Sequence, residues 1–404
     1  MRKKIENTIV AILVVLMLII LFGIIYFCLD VFGIIEVPSK YSIASLFESQ
    51  IEVIATTGEV LNDVIPSEEV QRKIKVVKSS DETEKQDRNI DDIEERLNKL
   101  EDERNQNNTY VEADSDEEVK KFYYNQLDDY AKIIYDKLDE NLDKLKTGTY
   151  TFDYGLTFNQ FLQDENNTET LNNSFQLAIN ALTFDNPDLF YIDVTKMYLL
   201  TEITTKTFSK TYKVSIGPKD GQTYLADDFS SAESAEYAIK SVEDKKNEII
   251  DSLQGNDIDK IKTIHDYLVD NNEYDAKAGS MIYSVYGALI NGKSVCEGYA
   301  RAFKYILDDI NIPCIIVCGI GQNGEGTTES HAWNYVKIDG IWYAIDVTWD
   351  DPVITGNGSL TDDIKYSFFL KGYNTFSKNH FEDGNIVGNA EFKYPEISLE
   401  DYNL

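Results

Sequence analysis

Residues 331–351 read HAWNYVKIDGIWYAIDVTWDD, and this stretch decides the fold. Two runs rich in β-branched and aromatic residues flank Asp339-Gly340, a dipeptide suited to the positive φ angles that a two-residue hairpin turn requires. That turn sets the register. Ile338 stands opposite Ile341 and Lys337 opposite Trp342; further along, Trp333 meets Asp346 and His331 meets Thr348. Side chains alternate between faces, so a three-residue turn would flip one strand. With the two-residue turn, His331 and Asp346 become diagonal neighbours on one face, at the ~7–8 Å spacing that side chains bridge. The other face carries Ala332, Val336, Ile338, Tyr343 and Ile345, an apolar set expected to be buried.

Upstream, residues 291–313 read NGKSVCEGYARAFKYILDDINIP and predict a helix. Ser294 and Glu297 match the S-x-x-E capping box, which predicts Ser294 as the cap and Cys296 at the second helical residue. A thiol there meets unpaired first-turn amides and the positive end of the helix dipole, and both favour thiolate. Cys296, Tyr299, Ala300, Phe303 and Leu307 share one face, so the sulfur is expected on the core side of the helix mouth. A helix-start cysteine, a strand histidine and a carboxylate on the neighbouring strand supply the three roles of nucleophilic acyl transfer. Cys296 attacks, His331 removes and returns the proton, and Asp346 fixes the imidazole tautomer and stabilises its cation.

The segments SVCEGYARAF, NIPC and HAWNYVKIDGIWYAIDVTWDDP resemble the bacterial transglutaminase-like family, a branch of the papain-like fold. The likeness covers about Asp257 to Asp383, including IHDYLVDNNEYD and FFLKGYNTFSKNHFEDG. YYNQLDDYAKIIYDKL and DNPDLFYID resemble the N-terminal region that accompanies this domain in membrane-anchored proteins of Gram-positive bacteria. The resemblance implies an α+β, papain-like core in which the nucleophile helix packs on an antiparallel sheet. It assigns nucleophile, base and orienting carboxylate to Cys296, His331 and Asp346.

Other site residues follow from position. The Cys296 amide is one oxyanion donor; the Tyr286 hydroxyl in YSVYGAL is a candidate second, with core packing as the alternative. Trp333 and Trp349 flank the site and are candidates for walling a substrate groove, or for hairpin packing. His265 adjoins an apolar helical stripe and is expected to be structural; His380 falls in a polar loop, outside the chemistry. The loop GIGQNGEGTTES (319–330) precedes His331 as a candidate cover, and its glycines lack phosphate-binding spacing. Neither cofactor nor metal is expected, because the histidines are scattered and no Cys/His ligand spacing occurs.

The chain's N-terminus carries Arg2, Lys3 and Lys4 before the uncharged run IVAILVVLMLIILFGIIYFCL, residues 9–29. At ~1.5 Å per residue that run spans roughly 31 Å, enough for one bilayer crossing. It lacks the short apolar core and small-residue site of a cleaved signal. The basic flank places residues 1–8 in the cytoplasm and the bulk outside, as a single-pass plasma-membrane protein. Residues 30–116 are expected to be a juxtamembrane linker. Within it Ile90, Ile93, Leu97 and Leu100 fit a short coiled coil for self-association, a lone amphipathic helix or a solvated spacer. Residues 117–255 read as a smaller α+β module, opening with a long amphipathic helix over 119–145, and 256–404 as the catalytic domain.

A net charge of −33 argues against nucleic acid, whose backbone needs clustered Lys and Arg. Of four cysteines, Cys28 lies in the apolar run, and Cys314 and Cys318 share one strand ~13 Å apart. Disulfide geometry excludes that pairing and leaves Cys296 a free thiol. The expected function is a membrane-anchored, extracytoplasmic acyl-transfer enzyme acting on protein or peptide substrates at the cell envelope. A tethered, non-catalytic interaction module in envelope or division assembly is the alternative.

Overall fold

The structure, a computed structural model, describes residues 50–57, 73–76, 111, 113, 115–164, 166–206, 209–322, 328–356, 360–383, 385–387 and 390–404. The expected membrane span at 9–29 and the heptad-like stretch at 90–100 lie outside these. Among the described residues no helix is long and apolar enough to cross a membrane.

Two compact units form. The smaller takes the described parts of 1–55, 153–167 and 200–215; the larger takes those of 56–152, 168–199 and 216–404. Strand β1 (Gln50–Thr57) belongs mainly to the smaller unit, and β2 (Lys73–Val76) to the larger. The long helix expected over 119–145 is instead three pieces: α1 (Asp116–Lys120), α2 (Asp129–Asp139) and α3 (Leu142–Leu145). Asp185 causes the first break, because its carboxylate accepts the Tyr123 and Tyr124 amides at 3.1 and 3.0 Å. Those donors are then unavailable to the helical ladder. Asp128 restarts the helix by capping the Tyr130 and Ala131 amides, each at 2.8 Å.

Next come β3 (Phe152–Gly155), α4 (Asn167–Asp185), β4 (Tyr198–Lys206) and β5 (Ser209–Gly217), with strand order β1-β4-β5-β3. Residues 190–191 are a turn, followed by an antiparallel bridge of Ile192 with Leu225 and a 3-10 turn at Val194–Lys196. Helices α5 (Ala232–Ser252) and α6 (Asp257–Asn271) follow, each opened by a side-chain capping box. The helices expected in a separate module and those of the 256–404 segment therefore pack in one unit. Arg301, for example, donates to the Thr183 carbonyl at 2.5 Å, and Lys246 to Asp309 at 2.8 Å.

The larger unit continues with β6 (Glu273–Tyr274), β7 (Lys293–Ser294), α7 (Cys296–Asp309), β8 (Cys314–Gln322), β9 (Thr328–Ile338), β10 (Ile341–Ile345), β11 (Val353–Gly356) and β12 (His380–Glu382). Four of these make an antiparallel sheet, order β10-β9-β8-β12, with α7 against it. The hairpin has the expected register, Ile341 with Ile338 through Ile345 with Asn334. Its turn works because Asp339 and Gly340 both take positive φ, 51° and 81°. Pairing stops before Asp346, whose amide donates to Phe368 instead. Opposite the His331 face, Asn334 reaches Ala300 of α7 and Ile315 of β8 through its amide nitrogen, at 3.0 and 3.2 Å. That bond locks helix to sheet.

Candidate active site

Cys296 is the first residue of α7, and the cap is Val295 rather than Ser294. The S-x-x-E pattern did not form a capping box because Ser294 is committed elsewhere. It pairs with Tyr274 in the parallel β6–β7 ladder, and its hydroxyl accepts the Asn272 side chain at 2.6 Å. The Val295 amide, bonded to the Ile282 carbonyl at 3.0 Å, fixes the chain just ahead of the helix. Gly298 makes that fit, since a Cβ there would meet the Ile282 carbonyl at 2.5 Å. Cys296, Cys314 and Cys318 are all free, buried thiols.

His331 lies on β9 and its Nε2 is 2.8 Å from Asp346 Oδ2. Asp346 Oδ1 accepts the Trp349 amide at 3.1 Å. All three side chains are enclosed: Cys296 is 1 % exposed, His331 2 % and Asp346 0 %. Burial disfavours a charged imidazole, yet Asp346 and Cys296 outweigh it and hold the His331 pKa well above its ordinary value. Nδ1 of His331, which meets no other hydrogen-bond partner, is the nitrogen left for the thiol of Cys296. Asp346 is held far below the usual carboxylate range; burial opposes this, and the charge and N–H of His331 prevail.

The turn carrying Asp346 is braced at two further points. Asp350 lies 3.1 Å from His265 Nε2, and Asp351 accepts the Tyr299 hydroxyl at 2.6 Å. Helices α6 and α7 thereby both fix the position of Asp346. His265 is fully buried in that contact, with Asp266 at its other nitrogen, 3.2 Å away.

Several residues stand where the sequence did not put them. His380, expected in a polar loop away from the chemistry, opens β12 and is buried, with Nε2 2.9 Å from the same Asp346 Oδ2. Pairing of β12 with β8 carries it there, His380 lying opposite Gly321. Trp333 and Trp349 do not wall an open groove: at 1 % and 3 % exposure they pack around His331, ring centroids 6.0 and 5.1 Å away. Gly319 and Gly321, expected in a flexible cover, are β8 residues that leave room for them. A Cβ on Gly319 would lie 2.5 Å from Trp333, and one on Gly321 would lie 3.0 Å from Trp349. Residues 323–327 of that loop lie outside the described residues.

Tyr286 stacks on Phe190 at 5.5 Å and meets Phe229 edge-on, so its ring serves aromatic packing. Tyr274 lies within electrostatic reach of Cys296. Burial raises its pKa first, and Cys296 and Glu329 add to the effect. Glu329, two residues before His331, is pushed up to about 7 by burial despite the nearby imidazole. Its Oε2 is buried without a partner. A cavity of about 370 Å³ lies beside the start of α7, lined by Glu297, Arg301, Met281, Tyr283, Phe190 and Pro187 among others.

Two of the three histidines scattered in the sequence meet in space. His331, Asp346 and His380 have their nitrogen and oxygen atoms within 4.8 Å of one another. Two N–H···O bonds to one carboxylate oxygen account for that spacing.

Residues 244–347 match the family model described as Transglutaminase-like superfamily, so the chain carries a domain of that kind. It is 26 % identical over 172 residues to the kyphoscoliosis peptidase of Mus musculus, covering 39 % of this chain and 25 % of that protein. The Homo sapiens counterpart is 26 % identical over 159 residues, covering 36 % and 23 %. The chain thus spans about a quarter of the length of the curated relatives it matches. A solved structure described as a TGase matches with TM-score 0.25 and 18 % identity, over 49 % of this chain and 55 % of that one.

Proposed function

We propose that this chain, with its transglutaminase-like superfamily domain, is a cysteine acyl-transfer enzyme acting through Cys296, His331 and Asp346. One observation carries the reading: a helix-start thiol adjoins an imidazole that is oriented by a buried carboxylate at 2.8 Å and whose charge both neighbours stabilise. His331 takes the Cys296 proton, and the sulfur attacks the carbonyl carbon of a carboxamide or peptide bond. The amide of Cys296, a first-turn N–H without an intrahelical partner, faces the oxyanion that forms. His331 then protonates the leaving nitrogen and a thioester remains. An amine or water attacks it while His331 accepts the proton, and collapse returns the thiol.

On this reading the enzyme is anchored by residues 9–29, with its N-terminus cytoplasmic and the catalytic unit outside the plasma membrane, acting on envelope proteins or peptides. The non-catalytic tethered module draws support from the burial of Cys296, at 1 % exposure. One experiment separates the two. Full-length protein is exposed to isolated envelope proteins and the Cys296 peptide is analysed by mass spectrometry. An acyl adduct on Cys296, lost on hydroxylamine treatment and absent from Cys296→Ala, is the expected result. If wild-type and variant protein are indistinguishable and both still capture envelope partners, the module reading replaces the enzyme. Membrane fractionation with external protease treatment tests the topology.

A further inference from the structure

Two imidazoles share one oxygen in this site. Asp346 Oδ2 lies 2.8 Å from His331 Nε2 and 2.9 Å from His380 Nε2. Only an N–H is attractive toward an anionic oxygen, so each ring presents a donor there. Their surroundings otherwise differ. His331 adjoins Cys296. His380 is clamped among rings, stacked on Phe376 at a centroid distance of 3.9 Å and an angle of 19°, with Trp349 at 4.4 Å and Trp333 at 5.1 Å. Its Nδ1 is 3.0 Å from Asn379 Oδ1, and a ring protonated on Nε2 alone requires the Asn379 amide turned so that its Nδ2–H donates there. A ring held this way has no room to swing toward the thiol.

We propose that His380 is a positioning residue: its Nε2–H holds Asp346 Oδ2 in place and shares that oxygen with His331, so the carboxylate orients the base without drawing its proton away. The proposal rests on the acyl-transfer reading. With Oδ1 on the Trp349 amide and Oδ2 on two imidazoles, the carboxylate accepts three N–H bonds and cannot rotate. Burial, with the charge of His331, lowers His380 to about 4. It therefore stays neutral while His331 carries the charge. The same aspartate thus holds one imidazole as cation and one as fixed dipole, and the neighbours of each decide which is which. The other titratable groups facing the cluster are Cys296, Glu329, Tyr274 and Asp350.

The chain has three histidines, so nitrogen NMR of ¹⁵N-histidine-labelled full-length protein resolves each ring. At pH 7 His380 is expected neutral with the proton on Nε2, and His331 charged. A charged His380, or one protonated on Nδ1 alone, overturns the proposal without any variant. The second arm follows alkylation of Cys296 by iodoacetate, whose carboxylate is drawn by charged His331, so that the rate falls as His331 loses its proton. His380→Phe keeps the ring stack and deletes the N–H. Asp346 then holds the His331 proton more tightly, and the alkaline limb is expected to move up by about one pH unit. His380→Gln restores an N–H and is expected to restore the limb. An unmoved limb in His380→Phe, or a limb in His380→Gln that tracks the Phe variant, overturns the proposal alone. A wild-type Cys296 no more reactive than in denatured protein overturns the acyl-transfer reading along with it.

Discussion

Glu329 stands two residues before His331 on β9, and alternation puts both side chains on one face. Burial pushes its carboxyl up to about 7, so a negative charge appears beside the imidazole as the solution passes neutrality. That charge stabilises the His331 cation and adds a step near pH 7 to any activity that depends on it. Glu329→Gln is expected to remove the step from the pH–rate profile of Cys296 alkylation and leave the outer limbs in place. A profile identical to wild type would show that the carboxyl does not act on the imidazole. The sequence held the signal for this residue, since the residue two before His331 on a strand shares its face. It held none for His380, which reaches Asp346 only through pairing of β12 with β8.

Among the elements, α7 does most to place Cys296, and Gly298 allows it to lie where it does. A methyl group there would sit 2.5 Å from the Ile282 carbonyl and 2.6 Å from the Ser294 Cβ. Neither backbone nor buried serine yields cheaply. Gly298→Ala is therefore expected to displace the helix start and cost about 1–3 kcal/mol, although alanine is the better helix former. Urea unfolding read with the Cys296 alkylation rate checks both parts: stability and thiol reactivity should fall together. An alanine variant more stable than wild type would mean that the helix start yields freely. The capping pattern around Ser294 shows why local motifs mislead here. Its hydroxyl was as well placed to cap as any serine, but a tertiary partner, Asn272, took it.

At the scale of the whole larger unit, a second histidine–aspartate contact holds the turn after Asp346 to α6. His265 and Asp350 are both fully buried, 3.1 Å apart. Burial opposes the charge on His265, but Asp266 and Asp350 raise its pKa above the ordinary value. A raised histidine pKa contributes stability fully below the unfolded value of about 6.5, and that contribution fades as the pH rises through the folded value. His265→Phe takes the imidazole from buried Asp350, which keeps the Phe368 amide at 2.8 Å, and is expected to cost about 3–5 kcal/mol. Urea titrations at several pH values check this. The gap between wild type and variant should narrow as the pH climbs, and a constant gap would rule out charge as the source.

Read from the amino acids alone, the core helix, the Asp339-Gly340 hairpin with its register, and the closeness of His331 and Asp346 were legible. Each follows from short-range rules: a turn type, a period of two and a helical stripe. What needed the folded chain was everything set by long-range competition. Asp185 split the first helix by taking the Tyr123 and Tyr124 amides, some sixty residues distant. Strand β12 delivered His380 to an oxygen that the hairpin had already aimed at His331. A hydrogen-bonding group goes to the partner that wins in three dimensions, and sequence spacing carries that information only where the partners are close along the chain.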